Sequence, residues 1–234
     1  MSPNARDRRQ DPTEGEGLHA IFFDFDGVIL ESADLKTEAI VGIIPELSPD
    51  QREALRRYHL HHVGISRYVK FAWAYRELLG REITAEESER LGREYSRIVY
   101  DQVRRAPFVP GAPEALEALA PRYPLFVVSG TPTDEVTSLC RDRGIVDFFE
   151  EVWGSPREKT DLVRDLLARH ELSPGRSLFI GDGFTDYDAA RQTGLAFLAR
   201  DTPDQRELWD RLDPPRVPDL RNLPEIVATW HQRR

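Results

Sequence analysis

Cysteine is nearly absent from this chain of 234 residues. Cys140 stands alone, so an intrachain disulfide is excluded. No His or Asp motif surrounds it, and it reads as a buried, inert thiol rather than a nucleophile. Lysine is almost as scarce. Of 32 basic residues only Lys36, Lys70 and Lys159 are lysines; most of that imbalance reads as compositional bias, yet it makes each lysine worth asking about. No apolar run approaches the length of a membrane span, and the N-terminus lacks the apolar stretch of a signal peptide. The expectation is a cytoplasmic protein with no membrane partner. A surplus of positive charge is missing too. The net charge of -9 disfavours nucleic acid as a main partner, because binding a phosphate backbone needs a basic surface. It leaves room for a small anionic substrate held by a few local cations. No internal repeat is present.

What is there is a soluble globular balance, 40% hydrophobic and 31% charged. The length suits one large domain or a core with a smaller companion. Residues 1–17 are polar, charged and dotted with glycine, and a disordered tail is expected there. Ile21-Phe22-Phe23 reads as the end of a buried strand. From about 34 to 105 the pattern is helical throughout. Ser48-Pro49-Asp50-Gln51 and Thr84 with Glu87 are helix starts, Ser66 opens another helix, and Gly64 and Gly80 are stops. Tyr68, Phe71, Ala72, Tyr75 and Leu79 form an apolar stripe, and Trp73 beside it reads as packing rather than as a base-stacking platform. After Pro107, strands alternate with helices. Strands are expected at 125–128, 148–153, 177–180 and 195–198, with helices at 112–120, 131–144, 159–170 and 186–193. Helices at 207–212 and 224–230 and an edge strand at 217–220 complete the chain. This alternation predicts an α/β fold with a doubly wound parallel sheet. The helical block then becomes an insert after the first strand. The expected division is 18–33 and 106–234 for the core and 34–105 for the insert.

Four strand or loop ends carry chemistry. Asp24 and Asp26 leave the first strand two apart and on one side, and two like charges that close need a cation or a proton between them. Open α/β sheets place their sites at this end. Ser129-Gly130-Thr131 ends the second strand, where a hydroxyl and backbone N–H groups could hold phosphate oxygens, or simply turn the chain. Lys159 opens a helix, where the dipole disfavours a cation; it is either solvated or meets a counter-charge. Asp182 follows the fourth strand within Gly181-Asp182-Gly183 and suits a metal ligand. Asp186, four residues on, joins it or serves the helix start. His59, His61 and His62 read as surface or packed histidines, since no carboxylate or cysteine completes a metal set.

The order of Asp24-Phe25-Asp26-Gly27-Val28, Ser129, Lys159 and the 181–186 loop resembles the four motifs of the haloacid dehalogenase superfamily, over residues 20 to 200. The helical insert is similar to that family's small cap. The resemblance implies a hydrolase with Asp24 as nucleophile, Asp26 as acid and base, and Ser129, Gly130 and Lys159 holding the phosphoryl oxygens. It also implies Mg²⁺ between the Asp24 carboxylate, the Asp26 carbonyl and Asp182, with Asp186 in support. The second aspartate of the first motif, which dehalogenases lack, points to phosphate chemistry on a small phosphorylated metabolite. Val63-Gly64-Ile65-Ser66-Arg67 is similar to a segment of β-phosphoglucomutase in which the arginine contacts a second phosphate. Arg67 therefore either meets a substrate anion or is a solvated residue behind the Ser66 cap. Glu31 stands where many relatives carry aspartate. A phosphatase is the leading expectation; a phosphomutase of the β-phosphoglucomutase type and a non-catalytic phosphate-ligand-binding protein are the alternatives.

Overall fold

The computed structural model describes residues 17–230. The expected tail at 1–17 therefore lies outside the described residues, apart from Gly17.

Strand β1 (Ala20–Phe23) is completely buried. It lies at the centre of a six-stranded sheet with β2 (Leu125–Pro132), β3 (Glu151–Ser155), β4 (Ser177–Gly181), β5 (Ala196–Arg200) and β6 (Arg216–Val217). The order is β3-β2-β1-β4-β5-β6 and every pair is parallel. Such a sheet is buried on both faces, so its strands read as continuous apolar runs rather than alternating ones. Alternation shows instead in where side chains go. Ile21, Phe23, Val127 and Ile180 join one apolar cluster. Ala20, Phe22, Phe126 and Phe179 join the other. Phe22 stacks on Phe126 at 4.9 Å between ring centroids.

Helices cover both faces. α5 (Ala112–Leu119), α6 (Thr133–Asp142) and α10 (Leu223–Ala228) pack on the first cluster. α7 (Lys159–Arg169), α8 (Phe184–Thr193) and α9 (Arg206–Leu212) pack on the second. This is the expected α/β fold. Between β1 and β2 the chain makes the inserted all-helical cap: α1 (Ala33–Gly42), α2 (Pro49–His61), α3 (Arg67–Trp73) and α4 (Ala85–Arg105). Both expected capping boxes are present, at Ser48/Gln51 and Thr84/Glu87. Trp73 stacks on Tyr58 at 3.9 Å, in keeping with its reading as packing. Cap residues Ile40, Leu55, Phe71 and Tyr95 belong to the same apolar cluster as Ile21 and Phe23, so cap and sheet share one continuous core.

The differences from expectation are local. β2 runs on to Pro132, with a shift of register against β3 after Val128. α8 begins at Phe184, not Asp186. The helix expected to run from Ser66 to Gly80 changes to a π-helical turn over Ala74–Leu78. The last strand is only two residues long. Cys140 is fully buried, and burial pushes its thiol up to about 12. Among the described residues no helix is long and apolar enough to cross a membrane.

Candidate active site

The strand order turns around at β1. The chain proceeds to β2 on one side and β4 on the other, which opens a crevice at the carboxyl ends. Asp24 leaves β1 and Asp182 leaves β4. These strands are neighbours in register, Phe23 facing Ile180, and the Asp24 N–H donates to the Ile180 carbonyl at 2.9 Å. The two carboxylates, far apart in sequence, are thereby brought together with Asp186 of α8. One oxygen of each lies within 4.8 Å of the others, and all three side chains are buried. The backbone leaves room for this. Gly27 has φ +76°, and a Cβ there would run into the Asp182 carboxylate.

Lys159 is drawn in as well. Its ammonium bridges Asp24 at 2.9 Å and Asp186 at 2.6 Å, with all three side chains almost without solvent exposure. The counter-charge expected for a lysine at a helix start is thus found. Burial alone would lower its proton affinity; Asp186 and Asp24 reverse that, and the net shift is upward. One cation cannot balance three buried carboxylates. Burial pushes Asp24 up to about 7, against the pull of Lys159 and with the help of Asp186 and Asp26. Burial, then Asp24 and Asp186, hold Asp182 well above the usual carboxylate range. Oδ1 of Asp182 is buried with no hydrogen-bond partner among the described residues. A buried, unpartnered carboxylate oxygen is costly. An all-oxygen donor set with one oxygen unclaimed and surplus negative charge fits a hard divalent cation.

Asp186 has other obligations. One oxygen accepts from Lys159 and the other from the Gly183 N–H at 3.0 Å. It steadies the loop and the lysine, and so does part of the helix-start work weighed for it from sequence. Asp26 stands apart from the trio. Its carboxylate accepts from Ser32 at 2.6 Å, Lys36 at 2.5 Å and Thr131 at 3.0 Å. Burial alone would raise its pKa; Lys36, Ser32 and Thr131 overcome that and hold it below the usual value. Ser129 is buried, and its hydroxyl accepts from the Thr131 N–H at 3.1 Å. That N–H is therefore engaged within the turn, while Gly130 lines the cavity.

The cap closes over these groups. The Thr185 hydroxyl donates to the Val63 carbonyl at 2.7 Å, and the Gln205 amide to the Leu60 carbonyl at 3.0 Å. A Cβ on Gly130 would strike the Gly64 carbonyl. A cavity of about 240 Å³ remains between cap and sheet. Arg67 lines it, and of the two readings weighed from sequence the solvated one needs correction, because the side chain is buried. Arg67 donates to Ser96 at 2.6 Å and to Glu135 of α6 at 3.0 Å, and lies 4.4 Å over the Tyr95 ring. Its anion is a carboxylate of the protein itself.

Several site residues were not singled out as such from sequence. Lys36, Lys70 and Arg200 line the cavity together with His59. Arg200 pairs with Glu31 at 2.6 Å and donates to the Gly27 carbonyl at 3.2 Å; Glu31 thus anchors β5 to the aspartate loop. His62 instead bonds the Tyr58 carbonyl at 2.8 Å. The scarcity of lysine was the one available signal. All three lysines converge on this site.

Residues 18–194 match the family model of haloacid dehalogenase-like hydrolases. The chain belongs to that family and is a hydrolase. It is 25% identical over 187 residues to a phosphoglycolate phosphatase of Synechococcus elongatus, covering 78% of this chain and 83% of that one. It is also 25% identical over 186 residues to a 5'-nucleotidase of Pseudomonas aeruginosa, covering 76% and 80%. Both names denote phosphoric monoester hydrolases. A solved candidate β-phosphoglucomutase of Bacteroides vulgatus superposes with a TM-score of 0.72 at 18% identity, over 94% of this chain and 91% of that one. At that identity the likeness is one of fold.

Proposed function

We propose that the protein is a Mg²⁺-dependent phosphatase that hydrolyses a small phosphorylated metabolite through a phosphoryl group carried on Asp24. We take residues 18–33 and 106–234 as the catalytic core and 34–105 as the cap. The observation that carries the reading is the buried cluster of Asp24, Asp182 and Asp186, balanced by Lys159 alone and with one Asp182 oxygen unclaimed.

The Asp24 carboxylate attacks phosphorus; the P–O bond to the leaving group breaks, and Asp26 delivers a proton to the departing oxygen. Asp26 is held ionised here, and an incoming anionic phosphoryl group raises its proton affinity so that it can be loaded. In the second half Asp26 takes a proton from water, the water oxygen attacks phosphorus, and the Asp24–phosphorus linkage breaks to give inorganic phosphate. Lys159 and the Ser129-Gly130 turn are assigned to the phosphoryl oxygens. Asp24 and Asp182, the Asp26 carbonyl and, in support, Asp186 would hold Mg²⁺. When bound, the ion supplies charge cancellation that lets an anionic carboxylate approach an anionic phosphate. Phosphoryl transfer asks mainly for positioning and electrostatic stabilisation, and a closed cap favours both by excluding water. The cavity, about 240 Å³, is below the roughly 300–1,000 Å³ usual for ligand pockets. That supports a compact ester over a nucleotide.

Phosphate release from p-nitrophenyl phosphate with Mg²⁺, lost on adding EDTA and in Asp24→Asn, is the expected result. Failure to release phosphate from a broad panel of phosphate esters would remove the proposal in favour of a binding protein. Isomerised sugar phosphate in place of free phosphate would turn it into a mutase.

A further inference from the structure

Five cations among the described residues reach the cavity or its floor, and four of them have carboxylate partners. Lys36 meets Asp26, Lys159 meets Asp24 and Asp186, Arg67 meets Glu135, and Arg200 meets Glu31. Lys70 is the exception. It lies on the inner side of α3 with only 4% of its surface exposed, and it lines the cavity. Among the described residues no carboxylate comes within ion-pair distance of it. The one hydrogen-bonding contact of its ammonium among the described residues is Nδ1 of His59 on α2, at 3.0 Å. His59 is itself buried and faces Lys70, Lys36 and Arg56; burial and these cations push its pKa down to about 2. A neutral imidazole accepts from the ammonium and aims it, but brings no negative charge.

A buried ammonium with no counter-ion is costly. Burial first, then Lys36 and Lys159, lower Lys70 to about 7; Asp26 and Asp182 pull the other way without touching it. The seat assigned above to the transferring phosphoryl group already has Lys159. What remains of an ester held there extends toward the cap, where Lys70 waits with His59 behind it. No ion-pair partner among the described residues holds the ammonium in this place.

We propose that Lys70, aimed by His59, binds a second anionic group on the leaving-group end of the substrate, so that the enzyme prefers phosphate monoesters ending in a carboxylate or a second phosphate over neutral-ended esters. This rests on the phosphatase reading, and it makes Lys70 a specificity-determining residue. Arg67, the residue that family resemblance suggested for such a contact, is already committed within the protein.

The test compares matched pairs with Mg²⁺. 2-Phosphoglycolate against ethyl phosphate reads a carboxylate; 1,3-propanediol bisphosphate against propyl phosphate reads a second phosphate. The wild type is expected to favour the acid-ended member of at least one pair by about tenfold or more in kcat/KM, the scale at which a buried group left unpaired by the wrong substrate discriminates. In Lys70→Met this preference collapses, chiefly through KM, and Lys70→Arg restores part of it. A wild type that treats both pairs alike overturns the inference with no variant needed. So does a Lys70→Met protein that loses the same factor on all four esters, because a merely structural role lowers them together. If neutral esters are hydrolysed without preference, the inference falls and the phosphatase stands. If no ester is hydrolysed, the phosphatase reading falls. Calorimetric binding of the same four compounds to Asp24→Asn, with and without Lys70→Met, then still decides on Lys70: acid-ended compounds binding more tightly only when Lys70 is present supports it, and equal binding refutes it.

Discussion

The Lys36 ammonium sits 2.5 Å from the Asp26 carboxylate and the same distance from the Thr131 hydroxyl. It is brought there by the first turns of α1, ten residues after the aspartate it serves. Removing that cation as Lys36→Met withdraws the largest influence holding Asp26 below its usual pKa. In the first half-reaction, which kcat/KM reports, Asp26 acts as an acid, and an acid loses activity as pH rises through its pKa, so a raised pKa moves the alkaline limb of the kcat/KM profile to higher pH. The expected result is that shift, with a loss of roughly 10²-fold in rate at neutral pH, the usual contribution of positioned acid–base chemistry. A pH–rate profile that keeps its alkaline limb would show that Lys36 does not tune Asp26.

The proposed metal binding carries its own pH signature. Asp24 and Asp182 retain protons in the metal-free fold above the pH at which the unfolded chain releases them. For Asp24 the native state binds the extra proton between about pH 4 and 7; Asp182 is shifted in the same direction, and both groups make the metal-free protein less stable as pH rises. A divalent cation competes with those protons. Its stabilising effect is expected to be slight at pH 5 and larger at pH 7.5, reaching about 2.7 kcal/mol at a concentration 100 times Kd. Thermal unfolding with and without Mg²⁺ at the two pH values reads this. Asp182→Asn should flatten the difference; an unchanged response in that variant would place the ion elsewhere.

Gly130 lets the cap loop come down onto the sheet. In Gly130→Ala the added methyl meets the backbone carbonyl of Gly64, and backbone cannot step aside as a side-chain tip can. The core should fold with a normal circular dichroism spectrum, while kcat/KM falls by about 10²-fold, the loss expected when closure misplaces groups by about an ångström. Wild-type kinetics in this variant would mean that closure is not needed.

Lys70→Met should also make the substrate-free protein more stable. The lowered pKa of Lys70 means that the unfolded chain binds the extra proton between about pH 7 and the ordinary lysine value near 10.5. The cost of burying the charge is therefore fully present below pH 7 and fades as pH rises through that window. A gain of about 1–2 kcal/mol is expected at pH 6, shrinking towards pH 10, and urea unfolding at both values measures it. Destabilisation at pH 6 would mean that Lys70 has a partner in the fold after all.

The sheet and the residues at its carboxyl edge were legible because strand ends are fixed by local pattern. Asp24 and Asp182 each follow a short apolar run, and a parallel sheet carries such ends to one edge whatever the loops between them do. Lys159 was legible for a related reason: a cation in a first helical turn is out of place unless something answers it. Lys36, His59 and Lys70 were harder to read. They are borne by helices α1, α2 and α3, and where their side chains point depends on how the insert lies over the sheet, which periodicity does not encode. His59 in particular is one of three histidines within four residues, and nothing in its neighbours marks it as the one turned inward. Arg67 shows the opposite failure. Its motif was visible, but Glu135, which claims it, lies 68 residues away on another layer. The π-helical turn after Trp73 and the slip of β2 against β3 lie equally beyond sequence patterning, since both arise where packing overrides a regular repeat.

The Arg67–Glu135 pair also has a dynamic side. It joins α3 of the cap to α6 of the core, with Ser96 donating to the same carboxylate at 2.7 Å. Any swing of the cap away from the sheet would have to pull this charge pair apart and wet both ends. A latch of that kind opens seldom, so escape of the spent molecules, rather than bond cleavage, is expected to pace the cycle, and turnover should slow in proportion as the solvent is made more viscous.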